Sequence, residues 1–114
     1  MTKTELARAG ESLARDHLGS LGFAIVAQNL RLGRGELDLV ARHGNTLVFV
    51  EVKTRSGLDF GLPLEAVTPA KQRALRALAA RYLAENPHYG PVRFDCIGIL
   101  WGDPPQLEHL QAAF

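Results

Sequence analysis

The sequence has little cysteine and no long apolar run. Cys96 is its single cysteine, so no internal disulfide can form and we expect a reducing compartment. The absence of Cys/His clusters at metal-ligand spacing excludes a zinc-finger module. No apolar stretch approaches the roughly 18 residues that span a membrane, and the charged start Met1–Glu5 is unlike a secretory leader. We therefore expect a cytoplasmic protein with no membrane association.

Internal repeats, linkers and a strong excess of charge are also lacking. The 114 residues, 46% hydrophobic and 22% charged, fit one domain over 1–114 with a packed core. A net charge of +1 alone argues against a nucleic-acid partner. Four acids nevertheless stand out, namely Glu11, Glu36, Asp38 and Glu51, and without them 13 basic residues face 8 acids, a net charge of +5. If these acids gather in one cation-binding pocket, the surrounding surface is basic.

Hydrophobic patterns predict helices over 4–21 and from 69 to about 85. Thr2 and Glu5 have capping-box spacing before the first helix. Thr68 and Pro69 supply an N-cap and a first-turn proline for the second. Alternating apolar runs predict strands over 23–27, 36–41, 47–53 and 92–101, with turns at 31–35 and 102–105 and a looser stretch at 56–63. Residues 106–114 fit either an edge strand or a short helix.

The resulting order, αβββαβ, predicts an α/β fold with a mixed central sheet flanked by two helices. Three consecutive strands are expected to form a meander. The second helix then carries the chain over the sheet, so that the last strand lies parallel to a neighbour through a right-handed crossover.

The loop between the second and third strands sets the register of the charged residues. Gly44–Asn45 predicts a two-residue type II′ turn, because glycine supplies the positive φ at its first position. If His43 faces Thr46, then Asp38 lies opposite Glu51.

Side-chain alternation then predicts one charged and one apolar face. The charged face carries Glu36, Asp38, Glu51 and Lys53, with Glu36 opposite Lys53; the apolar face carries Leu37, Leu39, Val48, Val50 and Val52. Two carboxylates about 5 Å apart repel each other, so Asp38 and Glu51 need compensation. A divalent cation such as Mg²⁺ or Mn²⁺ would supply it, and Lys53 would neutralise further charge.

Glu11 lies close to the buried stripe of the first helix, where an unpaired acid is out of place. A first helix packed on the charged face could aim Glu11 at the same metal. Plainer interpretations stay open: Glu36 and Lys53 as a solvated cross-strand ion pair, Asp38 and Glu51 as surface residues in a shifted register, and Glu11 as a solvated side chain. The four histidines, His17, His43, His88 and His109, lack metal-ligand spacing and are predicted to be ordinary surface or partly buried residues.

These residues resemble a known nuclease signature. Asp38 on one strand and Glu51-Val52-Lys53 on the next match the PD-(D/E)XK pattern of the restriction-endonuclease-like fold, with Leu37 in the place of the usual proline. The position of Glu11 on the first helix resembles that of a helix glutamate in the archaeal Holliday-junction resolvases.

Further motifs resemble the bacterial YraN family, an uncharacterised group placed with endonucleases by its fold. They are Gly10-Glu11, Asn29-Leu30-Arg31, Gly35–Leu39, Val48–Arg55, Phe60-Gly61, Val67-Thr68-Pro69 with Lys71, Arg93-Phe94-Asp95, and Ala113-Phe114. The resemblance therefore implies a restriction-endonuclease-like αβββαβ core.

It also implies hydrolysis of phosphodiester bonds, with structured or branched DNA as the expected substrate. Asp38 and Glu51, together with the Val52 carbonyl, would hold one or two Mg²⁺ or Mn²⁺ ions, and Glu11 would complete the set directly or through water. Lys53 would orient the attacking water or stabilise developing charge, with Glu36 as a supporting residue. Four cations are candidates for phosphate contacts and can equally be solvated surface residues: Arg31, Arg34, Arg55 and Lys71. Lys71 is the best placed, because helix N-termini favour phosphate.

Two other classes of function remain open. The chain could be a non-catalytic nucleic-acid-binding module that keeps the nuclease fold. It could also be a structural or adaptor protein acting as a homodimer, since two-fold substrates such as four-way junctions suit a symmetric dimer. The apolar residues Leu107, Leu110 and Phe114 could serve such an interface or cover the domain's own core.

Overall fold

A computed structural model describes residues 1–57 and 62–114. In them the chain forms helices α1 (Lys3–Ser20) and α2 (Pro69–Glu85), strands β1 (Ala24–Leu32), β2 (Gly35–His43), β3 (Thr46–Arg55), β4 (Val92–Leu100) and β5 (Gln106–Leu110), and a short 3-10 helix at Pro63–Ala66. The five strands make one sheet in the order β1-β2-β3-β4-β5. The predicted α/β class and the αβββαβ order are confirmed.

The observed strands and turns differ from the predicted ones mainly in where they begin and end. Residues 106–110 form an edge strand, one of the two alternatives left open by the sequence. The turn predicted over 31–35 shrinks to residues 33–34, because β1 and β2 extend into it. The middle of the loop predicted over 56–63, with the Phe60-Gly61 motif, lies outside the described residues. Neither described helix is long and apolar enough to cross a bilayer.

Both helix starts are capped as the sequence predicts. Thr2 Oγ1 accepts a hydrogen bond from the Glu5 amide at 3.1 Å, and Glu5 Oε1 accepts one from the Thr2 amide at 3.0 Å. These bonds satisfy amides that have no partner within the helix. At α2, Thr68 Oγ1 accepts from the Lys71 amide at 3.3 Å, and Pro69 follows the cap.

The sheet is mixed because α2 is a crossover. Strands β1, β2 and β3 are antiparallel neighbours. After β3 the chain passes through α2, and β4 returns parallel to β3 over a register that runs from Leu47–Val92 to Arg55–Leu100. The predicted meander of the first three strands is thereby confirmed, and so is the predicted parallel pairing of the strand that follows the second helix. Strand β5 then pairs antiparallel with β4.

Two apolar layers pack the sheet, one under each helix. The layer between α1 and the sheet consists of Ala14, Leu18, Phe23, Leu39, Ala41, Val48, Val50, Val52, Ile97 and Ile99. The layer between α2 and the sheet consists of Leu37, Val40, Leu47, Phe49, Leu75, Ala79 and Tyr82. The prediction that Leu37 and Leu39 share a face is wrong, because they belong to different layers. Between them β2 departs from simple alternation opposite Asn29, whose φ of 49° is left-handed.

The apolar tail covers the domain's own core. The Phe114 ring stacks on Phe94 with centroids 5.0 Å apart, and the Arg76 guanidinium lies 4.8 Å above the Phe94 ring. Leu107 packs against the α1-side layer. Leu110 is 47% exposed. Of the two uses considered for the tail, core coverage is therefore observed for Phe114 and Leu107.

Helix α1 approaches β3 so closely at Gly10 that no side chain fits there. A Cβ at this position would overlap Thr54 Oγ1. We expect Gly10→Ala to lower the free energy of unfolding by about 1–3 kcal/mol, because the helix or Thr54 must shift. Gly19→Ala is the matched control: the same helix offers open space there, and alanine is favoured over glycine by up to about 1 kcal/mol. Urea unfolding of both variants tests this, and equal effects would contradict it.

Candidate functional site

The β2–β3 hairpin brings Asp38 to Glu51, although not as a regular pair. Its register matches the prediction, with His43 facing Thr46 and a φ of 60° at Gly44. The regular pairing ends at Leu39–Val50, one residue before the two acids. From there Asp38 Oδ2 accepts a hydrogen bond from the Val52 amide at 2.9 Å. Beyond Leu39, the side chain of Asp38 thus replaces the backbone of β2 as the hydrogen-bond acceptor for β3.

Glu51 is a buried acid with an acidic neighbour. Only 7% of the residue is exposed. Burial, then the charge of Asp38 and a hydrogen bond with its carboxyl, raise the pKa of Glu51 to about 7, against the lowering effects of Lys53 and Lys71. Lys53 Nζ lies 3.4 Å from Glu51 Oε1. Two carboxyls in contact can share a proton or a cation, and without either they repel each other.

Glu36 and Lys53 do not form the cross-strand ion pair that was considered from the sequence; each has a different partner. Lys53 contacts Glu51, whereas the Glu36 carboxylate lies 3.9 Å from Arg31 Nη1. The cause is that regular β2–β3 pairing stops before Asp38, so Glu36 no longer faces Lys53 across a ladder. Glu36 still borders the same groove as the two acids.

An open groove of about 370 Å³ runs past these side chains. It is lined by Gly35, Glu36, Asp38, Glu51, Lys53, Lys71, Ala74, Leu75 and Leu78. Its outer wall is therefore α2, and not the first helix, which was considered from the sequence as a possible cover of the charged face. Glu51 alternates with Val50 and Val52, which face α1, so its side chain points to the α2 side.

Behind the carboxyls lies a small apolar cavity of about 10 Å³, roughly the size of one water molecule. Asp38 and Glu51 border it together with Leu37, Phe49, Val50, Leu75, Phe94 and Phe114. The acids therefore have an apolar side and a wet side, and only the groove offers them polar partners. This explains the strong effect of burial on Glu51.

Glu11 approaches the same pair from α1. Burial raises the pKa of Glu11, and so do the charges of Asp38 and Glu36, while the Asn29 side chain lowers it. In residues 1–57 and 62–114, however, no three acidic, histidine or cysteine side chains converge closely enough to form a metal-binding group. The structure thus brings Asp38 and Glu51 together and places Glu11 near Asp38 without closing a three-acid set.

The four predicted phosphate-binding cations are placed differently. Lys71 lines the groove, and the neighbouring Lys53 side chain, then burial, lowers the pKa of Lys71. Arg31 and Arg34 are exposed at the end of β1 and in the β1–β2 turn. Arg55 borders a different groove, shared with the first turns of α1. The site therefore has two neighbouring lysines beside its two acids.

A second polar cluster was not predicted from the sequence. Asp95 is fully buried on β4 and accepts hydrogen bonds from Arg93 at 2.8 and 3.0 Å, His109 Nε2 at 2.8 Å and the Ala112 amide at 3.0 Å. His109 Nδ1 lies 3.0 Å from His17 Nε2. Burial would raise the pKa of Asp95, but these hydrogen bonds outweigh it and lower the pKa. The single sequence signal was the Arg93-Phe94-Asp95 motif.

The sequence that builds this site is shared with a family of bacterial proteins. The profile of the uncharacterised protein family UPF0102 matches residues 10–99. The chain belongs to this family. UPF0102 proteins similar to it occur in Clavibacter michiganensis (47% identical, 96% of this chain and 95% of the relative), Rhodococcus opacus (49%, 92% and 92%) and Frankia alni (50%, 98% and 96%). The predicted membership of an uncharacterised bacterial family is confirmed at this level.

The UPF0102 match contains the whole candidate site. It begins at Gly10, beside Glu11, and continues past Asp38, Glu51 and Lys71 to β4. Strand β5 and Phe114, which closes the small cavity, lie beyond the matched range.

We expect Glu51 to make the stability of this UPF0102 protein depend on pH. Because its folded pKa of about 7 lies above the ordinary 4.5, the folded protein keeps a proton that the unfolded chain releases between these values. Stability present below pH 4.5 is therefore lost as the pH rises through about 7. In the presence of a chelator we expect the free energy of unfolding to fall by on the order of 3 kcal/mol across this range.

Urea unfolding at several pH values measures this loss. Glu51→Gln removes the titrating carboxyl and should flatten the curve, whereas the exposed control Glu108→Gln should leave it unchanged. Parallel curves for the unsubstituted protein and Glu51→Gln would show that Glu51 does not carry the effect.

Proposed function

We propose that the chain is a metal-dependent endonuclease that hydrolyses phosphodiester bonds in structured or branched DNA, built on a restriction-endonuclease-like fold. The observation that carries the proposal is the contact between Asp38 and Glu51 at the floor of an open groove, with Lys53 Nζ 3.4 Å from Glu51. Taken with the sequence resemblance, this is the combination of acids and lysine that such nucleases use.

The donor set fits a divalent cation. Burying like charges together is unfavourable unless a counter-charge is present, and carboxylate oxygens are the ligands preferred by Mg²⁺ and Mn²⁺. Asp38 and Glu51 would hold the ion, and Glu11 lies close enough for the charge of Asp38 to raise the pKa of Glu11. A bound ion would lower the pKa of water and offset charge on the phosphate.

The chain's own residues supply the remaining roles. The Val52 amide fixes one oxygen of Asp38 and so orients that carboxyl. Lys53, between Glu51 and the groove, is placed to orient water or to stabilise the negative charge that develops on the phosphate. Lys71 adds a second positive charge at the same wall and would hold the phosphate as a point charge.

Cleavage of a panel of four-way junctions, flaps, single strands and duplexes tests the proposal, with Mg²⁺ or Mn²⁺ against a chelator. We expect metal-dependent cutting that disappears in Asp38→Asn. Binding of metal is followed separately by calorimetry, so that loss of the ion and loss of catalysis are distinguished. An absence of cutting on every substrate with both metals would overturn the proposal.

The rival is a nucleic-acid-binding module without catalysis. It is favoured by one observation, namely that no third acid closes on Asp38 and Glu51 in the described ranges, 1–57 and 62–114. For such a module Asp38→Asn would change affinity without removing any activity.

A homodimer would suit a two-fold junction substrate, and sedimentation at high concentration tests it. DNA as substrate fits the cytoplasmic location expected from the sequence.

A further inference from the structure

One face of α2 continues the groove away from the acids. Lys71, Ala74 and Leu78 line the groove at helical spacing, and Arg81 follows three residues after Leu78. Leu78 packs against Gly35, where a Cβ would lie 2.7 Å from Leu78 Cδ1. This stretch of α2 therefore runs directly beside the start of β2.

The next turn of α2 reaches the β1–β2 turn. A Cβ at Gly33 would lie 2.7 Å from Arg81 Nη1, and Gly33 has a φ of 63°. Arg81 thus extends across a turn that carries Arg34 and that follows Arg31 at the end of β1. We call these three arginines the arginine corner. All three are exposed, and the Arg31 side chain is 72% exposed.

The arginine corner carries little compensating negative charge. In the described part of the chain its one ion pair is Arg31 with Glu36, at the long distance of 3.9 Å. Glu85, the last residue of α2, lies one turn beyond Arg81. A concentration of exposed guanidinium groups suits a phosphate ligand, because each can donate two parallel hydrogen bonds to it.

The distance from the acids fits a polymer and not a single nucleotide. Lys71 and Arg81 are ten residues apart, which is about 15 Å along a helix. Successive phosphates of one strand of duplex DNA are about 3.4 Å apart along the axis, so this distance corresponds to roughly four nucleotides of a duplex strand. The groove is open from Lys71 as far as Leu78, so a strand that leaves the acids along α2 can reach Arg81.

We propose that the arginine corner binds the phosphodiester backbone of the strand that is cut, about four nucleotides from the scissile phosphate. The inference rests on the proposed function and adds a requirement: a productive substrate extends past the site towards the β1–β2 turn. The strand runs through the groove from the lysines to the arginine corner, so cleavage is internal.

Salt-dependent binding measures the contact directly. Metal-free protein is titrated with a labelled duplex whose strands have about 12 nucleotides and with a dinucleotide, at several salt concentrations. Arg81→Ala should weaken binding of the longer strand several-fold and reduce the slope of log affinity against log salt by roughly 0.9, the value for one phosphate contact with duplex DNA. The dinucleotide, too short to reach the arginine corner from the acids, should bind unchanged.

Arg73→Ala is the matched control. It removes the same charge from an exposed position of α2, two residues from Lys71 and hence off the groove-facing stripe. It should leave the slope for the longer strand unchanged. The double variant Arg34→Ala/Arg81→Ala should lose about twice the slope of Arg81→Ala.

The outcomes separate the inference from the function. Equal slopes for Arg81→Ala and Arg73→Ala, with strong binding by the unsubstituted protein, would overturn the arginine corner and leave the nuclease proposal standing. Loss of dinucleotide affinity in Arg81→Ala would also overturn it, because Arg81 would then act at the acids. If the unsubstituted protein neither binds nor cuts any strand, the proposed function itself fails.

Discussion

Lys53→Ala should cut DNA at least roughly 100-fold more slowly than the unsubstituted protein while still binding Mg²⁺. The reason is its position: Lys53 Nζ lies 3.4 Å from Glu51 Oε1 and faces the groove, where charge on a phosphate would develop. Asp38 and Glu51, the proposed ion ligands, are untouched by the change. Single-turnover cleavage rates and calorimetric Mg²⁺ binding measure the two effects separately.

Lys53→Arg and Lys3→Ala complete the design. Arginine keeps the positive charge and should restore part of the rate if electrostatic stabilisation is the main role of the side chain. Lys3, at the start of α1, borders the separate groove beside Arg55, so Lys3→Ala should cut at the normal rate. Full activity of Lys53→Ala would exclude Lys53 from catalysis.

Asp95→Ala should lower the free energy of unfolding by about 3–5 kcal/mol, the largest stability effect that we expect from one substitution. Asp95 has no exposed surface, and its removal leaves the Arg93 guanidinium, the His109 ring and the Ala112 amide without their acceptor. An uncompensated buried cation is much more costly than an exposed one. Urea unfolding near neutral pH measures the loss.

The free energy of unfolding measured at acidic pH gives an independent check. Since the folded pKa of Asp95 is lowered, its contribution is present above the ordinary aspartate range and is lost as the pH falls through the folded value. Asp95→Asn should therefore lose less stability than the unsubstituted protein on acidification. Asp16→Ala, exposed on α1, should stay within about 0.5 kcal/mol. A similarly small effect for Asp95→Ala would mean that the cluster adds little to stability.

The local parts of the site could be predicted from the sequence. A two-residue loop at Gly44–Asn45 and strict alternation were enough to bring Asp38 to Glu51, because a tight turn fixes the register of both strands. The caps at Thr2 and Thr68 were equally predictable, since each depends on residues within three positions. These features depend on short-range geometry, which composition and spacing express directly.

The rest depends on one irregular residue and on long-range packing. Alternation predicted Leu37 beside Leu39, and the left-handed Asn29 on the neighbouring strand marks where that rule fails. The helix that covers the charged face is set by the path of the β3–α2–β4 crossover, which helical periodicity does not specify. His17 and His109 are 92 positions apart, so no local pattern could have joined them to Asp95.

The strand order has a consequence for how the molecule folds. The antiparallel pairs β1–β2, β2–β3 and β4–β5 join strands that are consecutive in sequence, so their contacts are local and can form early. The β2–β3 hairpin, with its two-residue loop, can form within roughly 1–10 μs, before α2 and β4 have docked. Asp38 and Glu51 therefore meet while still hydrated, and their mutual repulsion becomes costly only when Leu75 and Phe94 close over them. Relief of that repulsion by Glu51→Gln should accordingly slow unfolding more than it speeds folding.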